Sequence, residues 1–296
     1  MTIQQAADDI RTMRVRGAAK IGRHAARALG AWAPAWDGSD GALDAAAAML
    51  VAARPTAVSL PNAVRFVVQR AKKAPAADRP RALGEAAADF ERRAETALDD
   101  IGRHGAALIP ENGTVLTICN SQGALAPLIE AHKAGRRFHA IAFETRPWRQ
   151  GLLTAKQLAE AGIDASFAVD SAMWLLLQDA DLVLVGADTW ARNGDVINKI
   201  GTGALAACAH ERGVPFYSCA ETFKVDAKSP TGADVHIEER ESSEVAHEGE
   251  LPKAIRIRNP VFDITPSRFV KGYVTEAGIL KAADLWPTAQ KAWELG

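Results

Sequence analysis

Two residues stand where chemistry is easiest to build, Cys119 and Asp188, each just after a run that reads as a buried strand. Cys119 follows TVLTI and opens Cys119-Asn120-Ser121-Gln122-Gly123, ahead of a helix-like segment. Free backbone N–H groups at a helix start favour an anion, and such a setting lowers the pKa of a thiol from about 8.5. A small buried hydrophobe is an equally fair reading of that cysteine. Asp188 closes Gly186-Ala187-Asp188 after DLVLV. A carboxyl at that edge can serve as general acid or base, or simply as a cap.

Cations and amides cluster at comparable places. Glu144-Thr145-Arg146-Pro147 follows another strand-like run, with Arg149 and Gln150 next. Guanidinium groups suit bidentate contacts to phosphate. Asn198 and Lys199 lie in the loop after Asp188 and before a Gly-Thr-Gly helix start. Lys224 ends Glu221-Thr222-Phe223-Lys224, again after a strand. Nearer the N-terminus, Arg14-Val15-Arg16-Gly17-Ala18-Ala19 can form a phosphate cradle of backbone N–H groups. Arg54 precedes a proline at a break and is free to project. Taken singly, each cation is as readily a surface ion-pair partner.

The elements that must position these residues follow from periodicity. Residues 1–105 are alanine-dense, with apolar steps of three and four through Phe90, Ala94, Leu98 and Ile101, so a helical domain is expected there. Breaks are expected at 33–41, 54–61 and 72–80. From Ile109 the pattern changes to short apolar runs alternating with helix-like segments. That reads as a Rossmann-like, doubly wound parallel sheet over 106–296, with both faces covered by helices. Ligands of such sheets bind beyond the carboxyl ends of the strands. Residues 236–260 are charged and suggest an exposed loop. VFDITPSRFVKGYVTEAGIL suggests a turn, a short helix and a final strand.

Composition excludes other classes. The net charge of -1 gives no field for a nucleic-acid binder. No apolar run is long enough to span a bilayer, and no signal-peptide h-region is present. The three cysteines, Cys119, Cys208 and Cys219, form no CxxC pair, so free thiols and a cytoplasmic location are expected. Seven histidines include no metal spacing, and no Walker, GxGxxG or GxSxG motif occurs. Neither metal nor cofactor is called for.

In order, MRVRGAAKIG, RPTAVSLPNAVR, CNSQGAL, ETRPWRQG, GADTWARNGDVINKIGT and NPVFDITP resemble one family across nearly the whole chain. It comprises methylthioribose-1-phosphate isomerases, ribose-1,5-bisphosphate isomerases and the regulatory subunits of eukaryotic initiation factor 2B. The resemblance implies a helical N-terminal domain before a Rossmann-like one, and Cys119 and Asp188 as the catalytic pair. It also implies substrate contacts at Arg16, Gly17, Ala18, Arg54, Gln150, Asn198 and Lys199, and Ala19, Asn120, Ser121, Arg146 and Lys224 join them as candidates by their positions in the sequence. The substrate is then a small sugar phosphate, and the assembly a homodimer or larger homo-oligomer. ETFK resembles the bisphosphate enzymes, since Lys224 adds charge where a methylthio group needs an apolar contact. The expected reaction converts ribose 1,5-bisphosphate to ribulose 1,5-bisphosphate. Asp188, with a raised pKa, is the acid for ring opening, and Cys119, with a lowered one, is the base between C2 and C1. A methylthioribose-1-phosphate or deoxyribose-1-phosphate-type isomerase and a non-catalytic regulatory subunit are the alternatives.

Overall fold

The computed structural model describes residues 1–15, 17–55 and 57–295. Five helices come first: α1 (Ile3–Arg11), α2 (Ala18–Trp32), α3 (Asp40–Ala52), α4 (Ser59–Lys73) and α5 (Arg79–Ala106). Their breaks fall at the turn-rich segments, with Pro75 and Pro80 bracketing the join of α4 and α5. Small residues let the helices approach closely. At Gly22 an added Cβ would lie 3.0 Å from the Ser59 carbonyl oxygen, so α2 and α4 meet almost backbone to backbone.

The second part alternates strand and helix: β1 (Thr114–Ile118), α6 (Gln122–Lys133), β2 (His139–Phe143), α7 (Gly151–Glu160) and β3 (Asp164–Ala168). It continues with α8 (Met173–Leu176), β4 (Leu182–Val185), β5 (Thr189–Trp190), β6 (Val196–Lys199), α9 (Thr202–Arg212) and β7 (Phe216–Cys219). After a long loop come β8 (Phe262–Thr265), β9 (Gly272–Thr275), β10 (Gly278–Leu280) and α10 (Ala282–Trp293).

The main sheet runs β10-β9-β7-β4-β1-β2-β3. All neighbours are parallel except β9 and β10, which form an antiparallel hairpin. The chain fills the sheet outward from β1 to β3, then returns beside β1 with β4. The topological switch point therefore lies between β1 and β4, the position where doubly wound sheets open a ligand crevice. The central strands are buried, as their continuous apolar runs require. β3 departs from that expectation: it is the sheet edge, and its first four residues are exposed.

Two further differences from the sequence reading concern the C-terminal half. Asn198 and Lys199 lie on a strand, β6, rather than in a loop. β6 pairs antiparallel with β5 and β8 in a second, three-stranded sheet. VFDIT supplies β8 of that sheet, and the rest of its segment gives a short 3-10 turn and the β9–β10 hairpin. Finally, α10 folds back: Leu285, Ala289 and Trp293 join Phe66 and Phe90 of the helical half and Phe223 in one apolar cluster. Trp293 meets Phe66, Phe90 and Phe223 at ring separations of 5.3 to 5.5 Å.

Candidate active site

Cys119 and Asp188 follow β1 and β4, the two strands that flank the switch point. Cys119 adopts φ +66°, left-handed for a side chain that bears a Cβ, at a local cost of about 1 to 2 kcal/mol. Its backbone is held from both sides. The Cys119 N–H donates to Thr145 Oγ1 at 2.8 Å, and Thr154 Oγ1 donates to the Cys119 carbonyl at 2.6 Å. Asn120 Nδ2 in turn donates to Thr154 Oγ1 at 3.0 Å. The thiol lies 3.5 Å from Gln150 Oε1, which accepts from it.

The side chains gather by charge as well as by contact. Lys199 at the end of β6 feels the charges of Cys119, Asp188, Arg240 and Arg54. Residues from the helical half, the sheet and the long loop therefore lie near enough to act on one ammonium. Burial, with Arg240 and Arg54 adding to it, holds the Lys199 ammonium below the usual lysine range. Its Nζ lies over the Phe262 ring, 4.9 Å from the ring centre. Asn198 is buried and donates to Thr202 Oγ1 at 3.0 Å. Ser121 fills the space over Gly186, where a Cβ would overlap its side chain. Gly186 thus lets the strand end before Asp188 pack against the α6 start.

The thiol differs from expectation. Burial pushes the Cys119 pKa up to about 11, with the carboxylates of Asp188 and Asp170 adding to the rise. Lys199 and a backbone N–H only partly offset them. The lowering expected from a helix start fails because Cys119 is 9% exposed and faces acids as well as a cation. The resting side chain is a thiol.

The expected phosphate ligands divide into three groups. Gly17, Ala18 and Ala19 form the start of α2, with Gly17 at φ +91° as its N-cap and no side-chain cap over the free N–H groups. Arg16, the remaining member of that cradle, lies outside the described residues. Arg146 lines a small cleft with Gln150, Lys199 and Arg240, but one of its guanidinium nitrogens donates to the Val245 carbonyl at 3.1 Å. Arg240 stacks on Trp148 at 4.7 Å and pairs with Glu238 at 3.2 Å. It was not singled out in the sequence, where it is one charge in a charged loop.

Lys224 is not an open cation. Its Nζ lies 3.0 Å from Glu221 Oε2 and donates to the Ala187 carbonyl at 3.0 Å. The two side chains are 8% and 2% exposed. Asn62 pins this segment to α4 through the Phe223 and Val225 carbonyls, each at 2.8 Å. Thr222 accepts from Trp293 Nε1 of α10 at 2.7 Å. Lys224 therefore sits behind Asp188, holding the carbonyl of the preceding residue. The Gly-Thr-Gly helix start beside Lys199 is also taken: Asp263 accepts from the Gly201 and Gly203 N–H groups at 2.8 to 3.0 Å. The anion at the N-terminus of α9 is the protein's own.

Among the described residues no cluster of His, Cys, Asp or Glu could hold a metal ion. No helix there is long and apolar enough to cross a membrane.

Known proteins are similar to this chain over nearly all of its length. A ribose 1,5-bisphosphate isomerase of Archaeoglobus fulgidus is 43% identical over 282 residues, 94% of this chain and 89% of the relative. A methylthioribose-1-phosphate isomerase of Gemmatimonas aurantiaca is 40% identical over 301 residues, 94% of this chain and 85% of that one. Among solved structures, Pyrococcus horikoshii translation initiation factor eIF-2B is similar at a TM-score of 0.80 and 31% identity. That match covers 94% of this chain and 96% of the other. The model of the initiation factor 2 subunit family matches residues 14–282, spanning the helical half, the switch point and both sheets. The chain belongs to the initiation factor 2 subunit family.

Proposed function

We propose that this chain converts ribose 1,5-bisphosphate to ribulose 1,5-bisphosphate through Cys119 and Asp188. That the chain is a sugar-phosphate isomerase is the coarser part of this reading, carried by relatives at 38 to 43% identity. The observation supporting the site is a thiol and a carboxyl just past the two strands that flank the switch point, with an ammonium from β6 near enough for their charges to act on it. A small phosphorylated ligand fits there: the α2 start, Arg54 and Lys199 supply anion contacts, and Gln150 and Asn198 supply hydrogen bonds.

The anomeric oxygen of the substrate is phosphorylated, so the ring must be opened by catalysis. Asp188 gives a proton to the ring oxygen as the C1–O bond breaks. Cys119 takes the C2 proton, a C1=C2 enol phosphate forms, and Cys119 returns the proton to C1 as Asp188 recovers one from the C2 hydroxyl. This requires a proton on the Asp188 carboxylate and a thiolate. With a pKa of about 11, only about one molecule in 10⁴ has it at pH 7, so ligand binding must favour ionisation or the roles change. The protonated resting thiol favours a second reading. There Cys119 donates to the ring oxygen, Asp188 accepts from the C2 hydroxyl, and hydrogen passes from C2 to C1 with its electron pair. Substrate deuterated at C2 separates the two. Loss of label to water supports the thiolate base, and full retention at C1 supports the shift.

The bisphosphate choice rests on charge. Relatives acting on the methylthio sugar match as closely as those acting on the bisphosphate, so identity does not decide it. Arg146, Lys199 and Arg240 bring three cations to one cleft, beside the apolar walls of Trp148, Ile200 and Val261. Lys224, the cation first read as the second phosphate's ligand, would reach a phosphate only with its remaining N–H. The test is turnover across a panel of aldose 1-phosphates. Preference for ribose 1,5-bisphosphate is expected. Faster turnover of methylthioribose 1-phosphate would overturn the substrate, and no turnover of any would favour a regulatory subunit.

We further propose a homodimer or larger homo-oligomer. The open edge β3 is flanked by exposed Phe167, Val169, Trp174, Leu175, Leu152 and Leu153, an apolar row unusual for a monomer.

A further inference from the structure

Neighbouring strand ends β1 and β2 each carry a left-handed residue with a Cβ: Cys119 at φ +66° and Thr145 at φ +64°. Such conformations persist only where surrounding contacts over-determine them. Here the contacts form one chain of hydrogen bonds across three strand ends. The Asp170 carboxylate, just past β3, accepts from the Thr145 N–H through Oδ1 and from the Arg146 N–H through Oδ2, both at 2.8 Å. Thr145 Oγ1 donates to the Phe143 carbonyl at 3.1 Å and accepts from the Cys119 N–H at 2.8 Å. Its hydroxyl has one proton, and that proton is committed to Phe143. The oxygen is therefore fixed as an acceptor facing Cys119. Thr145 is 1% exposed, so water cannot stand in for its hydroxyl.

We propose that Thr145 and Asp170 are positioning residues for the reaction, holding Cys119 left-handed so that its thiol faces Gln150, Lys199 and Asp188. This inference rests on the reading of Cys119 as a catalytic group. Neither residue touches the reacting atoms; both act through the backbone of β1. Their arrangement also separates two tasks. The β1 end is held by hydroxyls, which add no charge, while the one carboxylate in the chain lies a strand further away. From there it fixes the loop that carries Thr145, while its charge still adds to the rise of the thiol pKa.

The test compares Thr145→Val, Thr145→Ser and Asp170→Asn. Thr145→Val keeps shape but removes the acceptor. Its kcat is expected to fall about 10- to 100-fold with KM within about twofold, since small displacements of a reacting group cost rate rather than affinity. Thr145→Ser restores the hydroxyl and is expected within about threefold of wild type. Asp170→Asn leaves one amide without a carboxylate oxygen and is expected to lower kcat in the same sense, which covers the case of a Thr145→Val that does not fold. Iodoacetamide labelling of Cys119 against pH, followed on its own peptide, gives a second readout. A displaced thiol meets Lys199, Asp188 and Asp170 differently, so the midpoint moves in Thr145→Val and returns in Thr145→Ser. A general loss of packing would lower Tm and leave that midpoint alone. Wild-type kcat and midpoint in both Thr145→Val and Asp170→Asn would overturn the inference. Absence of turnover in the wild-type protein would instead sink the isomerase reading and leave the labelling to decide this one.

Discussion

At the scale of residues, burial decides the behaviour of the groups that matter most. Cys119 is a protonated thiol with a pKa of about 11, so alkylation of the free protein will be slow at neutral pH and accelerate tenfold per unit toward about pH 11. Lys199 is the charge that opposes this rise, so Lys199→Met will move the profile to still higher pH. Rates measured on the Cys119 peptide separate it from the more accessible Cys208. The Glu221–Lys224 pair responds differently, because breaking a buried pair strands one charge. Glu221→Gln will cost about 3 kcal/mol in denaturant unfolding; a change below about 1 kcal/mol would mean the pair is solvated. The ETFK string shows a Glu three residues before a Lys, so the pairing had a signal in the sequence. Its burial had none, since that depends on Trp293 and Asn62, far away in the chain. Cys119 and Asp188 were legible as strand-end residues. The electrostatics of the thiol were not, because the acids and the cation acting on it come from three separate segments.

At the scale of elements, the anchors of α7 and α9 carry the site. Gly151 opens α7, and a Cβ there would overlap the Phe143 carbonyl at the end of β2. Gly151→Ala must shift α7, which carries Thr154, with Gln150 as its N-cap. About 2 kcal/mol of stability will be lost to overpacking, and kcat will fall with it. A variant of wild-type stability and rate would show that the helix yields freely. Asp263 gives a pH dependence. Burial raises its pKa from 3.8 to about 6, against the N–H groups of Gly201 and Gly203. The folded chain binds this proton more tightly than the unfolded one. The stabilisation is complete below about 3.8 and is lost as pH rises through about 6. Asp263→Asn removes that loss, so its stability relative to wild type will climb across this window in urea titrations. A flat difference would contradict it. The parallel sheet was readable because each strand is a local apolar run followed by a helix. The three-stranded sheet was not. β5 has only two residues, and β6 pairs with β8 across 63 to 69 positions, from Lys199 facing Phe262 to Val196 facing Thr265.

At the scale of the molecule, the helical half and the sheet share one apolar cluster through α10. Arg54 of the helical half acts electrostatically on Lys199, as do Cys119 and Asp188. The exposed row beside β3 predicts self-association. Light scattering will give a mass of two chains or more, and Leu153→Asp with Trp174→Asp will lower it; an unchanged wild-type monomer would remove the argument. The central claim is that one thiol and one carboxyl at the switch point carry out an aldose–ketose isomerisation. Its most direct test is the kcat of purified Cys119→Ser and Asp188→Asn beside wild type with ribose 1,5-bisphosphate, product being read by NMR. The account predicts ribulose 1,5-bisphosphate from the wild-type protein and a loss of at least about 100-fold in each folded variant. Wild-type turnover in either variant would contradict it.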